Sequence, residues 1–172
     1  KSDNVGLSSG TLMTQTGKFT LRTITNTIGF KPNEGTEFVT GAVLTANKWH
    51  HVACSFNTSD NIVEIHIDGK LVLSDTDATA DTTGSAAIFW GRDAAGNNEY
   101  TGYLDEIRFW NDKRTTAEIR TNMFVTDIDD AVETTLIHQG ELNNGAGGAG
   151  TDNVASPQTQ TVIAGGWAAA GT

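Results

Sequence analysis

The sequence predicts an all-β sandwich or barrel. Apolar and polar residues alternate with period two through most of its apolar segments, and Gly, Thr, Asn and Asp recur between those segments. Only two prolines occur in 172 residues, as expected for many short strands joined by turns. The segments read as strands are Phe19–Ile24, Thr27–Lys31, Glu37–Leu44, Trp49–Asn57, Asn61–Asp68, Lys70–Ser74, Ala86–Gly91, Gly102–Trp110 and Thr134–Glu141. Asp68-Gly69 separates two alternating runs and predicts a type I′ hairpin, because both residue types tolerate positive φ. In the run VEIHIDGK, Val63, Ile65 and Ile67 are expected inward. Glu64 and His66 then fall on the opposite face, expected to be solvated.

One helix is predicted, from about Thr116 to Asn122. Thr115-Thr116-Ala117-Glu118 fits a capping box, in which a threonine hydroxyl and a glutamate each meet a free backbone donor. Ile119 and Met123 stand four apart and share the face that packs on the sandwich. After Glu141 the chain turns glycine-rich, NNGAGGAGTDN, and residues 143–153 read as a loop. Thr159–Ala164 is expected to return as a strand, with Trp167 as an anchor. Residues 1–172 form a single domain on grounds of length. The start at Lys1 rather than Met suggests a piece of a longer chain.

Composition excludes several function classes. The net charge of -10 and pI near 4.6 argue against nucleic acid and anionic membrane, both of which need a basic patch. Cys54 is the single cysteine, so no internal disulfide and no cysteine-rich zinc site can form. No apolar run approaches the roughly 18 residues that a membrane span requires, so no membrane insertion is expected.

Three segments in order carry a family resemblance: KWHHVACSFN (Lys48–Asn57), IVEIHIDGKLV (Ile62–Val72) and GYLDEIRFWNDKRTTAEI (Gly102–Ile119). They resemble the concanavalin A-like sandwich modules of the laminin-G and pentraxin type, in which a Trp-led strand, a D-G hairpin and a G-x-L-D-E strand leading to a short helix recur. IFWGRD (Ile88–Asp93) is similar to the glycine-ended strand between them, and TTLIHQGELNNGAG resembles the closing strand. Nothing before Phe19 resembles the family's opening strand, which is expected upstream of Lys1 or around Thr11–Met13. The resemblance implies a two-sheet antiparallel jelly roll, usually a non-catalytic module for glycans or proteins, with calcium at its rim.

The residues themselves offer no catalytic pair. Glycosidases of this architecture need carboxylates at alternate strand positions, within about 5.5 Å for retention, and no E-x-D-x-E triplet is present. Asp105 and Glu106 are adjacent and point apart in a regular strand. Asp105 shares parity with Tyr103, Ile107 and Phe109 and is expected partly buried, fastening a neighbouring loop. Glu106 and Arg108 are expected as a surface ion pair, and Cys54 as a buried structural thiol.

Binding residues are sought in loops. Alternating antiparallel connections gather Thr45–Lys48, Asp68-Gly69 and Arg92–Thr101 at one end, and Thr58–Asp60 with Asp75–Ser85 at the other. At the first end, RDAAGNNEY offers ligand-binding candidates Arg92, Asn97, Asn98 and Tyr100, beside Trp90. Asp93 and Glu99 are the candidate ligands for Ca2+, a hard cation that takes loop oxygens. At the second end, Asp60, Asp75, Asp77 and Asp81 read as an acidic loop without the glycine and glutamate of an EF-hand. Trp49 and Trp110 are assigned to the core. The resulting expectation is a recognition or adhesion module binding a glycan or protein partner, within an extracellular, cell-surface or phage-type protein. The alternative is a structural or decoration sandwich of an assembly such as a virion, and a divergent hydrolase is the third reading.

Overall fold

A computed structural model describes residues 9–32, 35–41, 44–77, 87–141 and 151–152, with backbone only at 141 and 151–152. The expected strand Thr159–Ala164, the Trp167 anchor, Asp81 and most of the 143–153 loop lie outside these residues.

The fold is antiparallel throughout its named strands. Strands β1 (Gly10–Gln15), β2 (Phe19–Ile24), β3 (Thr27–Pro32), β4 (Phe38–Val39) and β8 (Ile88–Trp90) form a five-stranded sheet in the order β4-β3-β2-β1-β8. A second sheet joins β5 (Val52–Asn57), β6 (Ile62–Ile67) and β7 (Lys70–Thr76) as a meander. A third joins β9 (Ile107–Trp110), β10 (Leu136–Glu141) and β11 (Thr151–Asp152) in the order β11-β10-β9. Leu12, Leu21, Ile28 and Phe30 of the five-stranded sheet share one buried cluster with Val63, Ile65 and Ile67 of β6. Alternation is the cause, since each strand turns every second side chain toward that shared layer.

Gly10–Gln15 is a full strand, paired to β2 on one side and β8 on the other. The opening strand is therefore supplied by the segment around Thr11–Met13. Other strands are shorter than their sequence runs, for local reasons. The run from Trp49 begins pairing only at Val52, because Asp68 takes over the backbone of His51: its carboxylate accepts the His51 N–H at 2.9 Å, and its own N–H reaches the His51 carbonyl at 2.8 Å. The run from Gly102 begins pairing at Ile107, since Glu106 sits at φ 53° and breaks the pleat. Parity counted across that break fails, and Asp105 is exposed rather than inward. Glu37–Leu44 contracts to Phe38–Val39; beyond it, among the described residues, Thr40 N–H donates to Ile28 O and Leu44 N–H to Asn26 O.

The helix α1 spans Thr116–Asn122 with the expected capping box, Thr115 and Glu118 each accepting from the other's backbone. Asp68 and Gly69 have φ of 51° and 71°, the pair of positive values that a type I′ turn requires.

The outer face of β6 is not solvated. His66 is 1% exposed, and its Nε2 lies 3.0 Å from Thr116 Oγ1. Glu64 pairs with Lys113 at 3.1 Å, and Arg120 Nε donates to Gly69 O at 2.8 Å. Helix α1 and the segment before it thus roof the hairpin. Alternation within β6 identifies two faces, but only the return of a distant segment decides that both are covered.

Candidate functional site

The loop end of the sandwich is assembled by a series of hydrogen bonds. Thr11 N–H donates to Asn98 O, Thr25 N–H to Ser9 Oγ, Leu44 N–H to Asn26 O, and Thr45 N–H to His50 Nε2 at 3.0 Å. His50 Nδ1 meets Asp68 Oδ2 at 2.8 Å. These bonds bring the 45–50 segment, the Asp68-Gly69 turn and the Arg92–Thr101 loop to one end. At the opposite end, Asp77 N–H donates to Asn61 O, and Asp77 is 5% exposed rather than part of a solvated acidic loop.

Arg92–Tyr100 is an ordered turn built around one carboxylate. Asp93 Oδ1 accepts the N–H groups of Ala95 at 3.0 Å and Asn97 at 2.7 Å, while Oδ2 accepts from Asn98 Nδ2 at 2.8 Å. Those donors hold the Asp93 carboxyl below its ordinary range, the Asn97 backbone bond contributing most. The sequence folds this way because an aspartate side chain mimics a backbone turn two residues on. Gly96 at φ 82° and Asn98 at φ 53° then reverse the chain, and Tyr100 N–H closes it onto Gly91 O. Asn97, Asn98 and Glu99 remain exposed and Arg92 half-buried.

The structure separates the other sequence candidates. Trp90 is half-buried, its ring 5.7 Å from that of Phe109 and 5.8 Å from that of His138, in the layer joining β8 to β9 and β10. Tyr100 packs on the main core cluster. Calcium takes six to eight oxygen ligands, whereas Asp93 already accepts three loop bonds and Glu99 is the other carboxylate of this segment. Among the described residues no group of three or more His, Cys, Asp or Glu side chains is gathered to hold a metal.

Trp49 departs from its core assignment. It is 53% exposed, with its ring centroid 6.5 Å from that of Tyr103 and the planes inclined at 49°. Both rings line a cleft of about 1070 Å³ that runs inward between the sheets to core residues such as Leu12 and Phe30 and also reaches His50, Asp68 and Asp105. Of the sequence-derived ligand candidates, Tyr100 lines this cleft, and Trp90, Arg92, Asn97 and Asn98 do not. The signal for Trp49 was local: it precedes two histidines that Asp68 holds by side chain and backbone, so the strand has not yet begun. Trp110 is half-buried against Ile128 and Leu136, with the Arg114 guanidinium 4.1 Å over its ring. Asp105 Oδ1 accepts the Glu106 N–H at 2.9 Å, a bond within its own turn.

Two further groups are chemically quiet. Desolvation raises the Cys54 thiol well above its ordinary value, so little nucleophilic thiolate forms. Arg108 pairs with Glu106 at 2.8 Å but is buried, and it also donates to the carbonyls of Asn122 and Val125. This ion pair is a strut for the chain after α1, not a surface contact.

Residues 1–120 match a family described as the concanavalin A-like lectin/glucanase superfamily, Laminin_G_3. The chain belongs to that superfamily. A solved structure described as a "putative carbohydrate binding protein" from Bacteroides ovatus is similar in fold, with a TM-score of 0.71 at 22% identity. The similarity covers 88% of this chain and 46% of that one, so this chain spans less than half of its length. No curated protein matches the chain. The superfamily assignment agrees with the sandwich, its Asp68-Gly69 hairpin and the short capped helix after β9.

Proposed function

We propose that this chain is a non-catalytic recognition module that binds a glycan through the loop end of its sandwich, within an extracellular or surface-exposed protein. The Arg92–Tyr100 segment carries the reading: Asp93 rigidifies it from within while Asn97 and Asn98 stay exposed. Preorganised amide groups suit sugar hydroxyls because little ordering entropy is lost on binding. The description of the Bacteroides ovatus neighbour supports the same ligand class by analogy.

The available titratable pairs favour binding over catalysis. His50 and Asp68 resemble an orienting dyad, but His50 Nε2 already accepts the Thr45 N–H, so no lone pair is left to act as a base. Glu106 pairs with Arg108, and Asp105 accepts a backbone bond of its own turn.

The test is a glycan array run with and without calcium on the wild-type chain and an Asn97→Ala/Asn98→Ala variant. Binding by the wild type that drops at least roughly tenfold in the variant, about 1.4 kcal/mol, is expected. Binding unaffected by the variant would remove the loop from the site. A calcium-dependent rise in Tm that Asp93→Ala abolishes would add a cation held by Asp93 and Glu99. Absence of any glycan or protein ligand would favour a structural sandwich.

A further inference from the structure

A large aromatic side chain left in water beside a cleft forgoes its burial energy, about 25 cal/mol per Å² of apolar surface. At Trp49 the backbone enforces that exposure. His50 is pinned from both ring nitrogens: Nε2 accepts the Thr45 N–H at 3.0 Å, so the neutral ring carries its proton on Nδ1, which donates to Asp68 Oδ2 at 2.8 Å. His51 is pinned through its backbone, donating to Asp68 Oδ1 at 2.9 Å and accepting from Asp68 N–H at 2.8 Å. With the two following residues fixed, the indole is held out of the core, inclined against Tyr103 across a centroid distance of 6.5 Å.

The flanking charge narrows what this aromatic corner accepts. Asp68 has 53% of its side chain exposed, and Asp105 is exposed at the same cleft. A neutral His50 leaves the Asp68 carboxylate uncompensated; of the cations lining the cleft, Arg108 is paired with Glu106 and Arg114 with Glu133, Lys18 stands on the β1–β2 turn, and Lys48 is the one next to Trp49, while the chain as a whole carries -10. Anionic sugars are repelled by such a field, whereas hydroxyl groups find carboxylate acceptors in it. We infer that Trp49 and Tyr103 form a stacking site for the apolar face of a neutral pyranose whose hydroxyls are met by Asp68. This site lies outside the Arg92–Tyr100 loop, and it rests on the carbohydrate-recognition reading above. Trp49 supplies the ring face, Tyr103 sets its tilt, and the Asp68 clamp fixes both the indole and the acceptor.

The inference is tested by indole N–H NMR of the full chain. Trp49 is assigned by the signal lost in Trp49→Phe and Trp49→Ala, and the sample is titrated with methyl glucoside, methyl galactoside and glucuronate. A neutral pyranoside is expected to shift the Trp49 signal selectively, with glucuronate weaker by roughly tenfold or more, as expected for like-charge repulsion. Trp49→Ala should abolish glycan capture, Trp49→Phe should retain part of it, and both should keep the wild-type Tm within about 3 °C, as for an exposed position. Glycan capture that survives Trp49→Ala but is lost in Asn97→Ala/Asn98→Ala would overturn the inference and keep the loop reading. Equal shifts with glucuronate would overturn the charge assignment, and a Trp49 signal unmoved by every sugar would overturn the site.

Discussion

Gly69→Ala isolates the contact that roofs the β6–β7 hairpin. Gly69 has φ of 71°, and a Cβ there would meet Arg120 Cγ at 2.8 Å and Met123 Sδ at 3.1 Å. The backbone part of the cost is about 1 kcal/mol for an alanine in the left-handed region. Displacing Arg120 breaks its 2.8 Å bond to the Gly69 carbonyl. That adds about 1–2 kcal/mol, less than a fully buried charged bond because the guanidinium regains water. The sum, about 2–3 kcal/mol, corresponds to a fall in Tm of roughly 4–12 °C for a domain of this size. Gly17→Ala is the internal control. Gly17 has the same φ of 71° but open space where its Cβ would stand, so that variant should lose only about 1 kcal/mol. Urea unfolding of both variants gives the difference, which is the part belonging to the helix contact. If the two variants lose the same stability within about 0.5 kcal/mol, α1 is not clamped to the hairpin and the reasoning fails.

Two more outcomes follow from the same roof. Burial lowers the His66 pKa, with Lys113 and Arg120 lowering it further and Glu64 opposing, and burial also lowers that of His51. The unfolded chain then binds more protons than the native one as pH falls below about 6.5, so stability should drop there and be flat above it. In urea titrations between pH 7.5 and 5, His66→Gln should flatten that slope in part, with His51 accounting for the remainder; an unchanged slope counts against a buried neutral His66. Thr115→Ala removes the N-cap and should cost about 1 kcal/mol while leaving glycan binding intact, as read by calorimetric melting and by the array.

The sequence alone determined the positions of most strands from Phe19 onward and the helix, because period-two alternation and the Thr115/Glu118 box are local signals that no distant contact had to supply, whereas β1 and the strand ends were decided by pairing. It likewise determined the Asp68-Gly69 turn, since few residue pairs accept two positive φ values. Exposure was decided elsewhere. His66 and Trp49 were assigned opposite environments from strand pattern and family position, and the structure reverses both: α1 returns some fifty residues later to bury His66, and the Asp68 clamp holds Trp49 outward. Asp105 changed face because Glu106 adopts positive φ, a backbone event that side-chain parity does not register. Local periodicity fixes which side chains share a face of a strand. Which of those faces stays wet depends on the segments that pack across it, and that is a property of the tertiary structure.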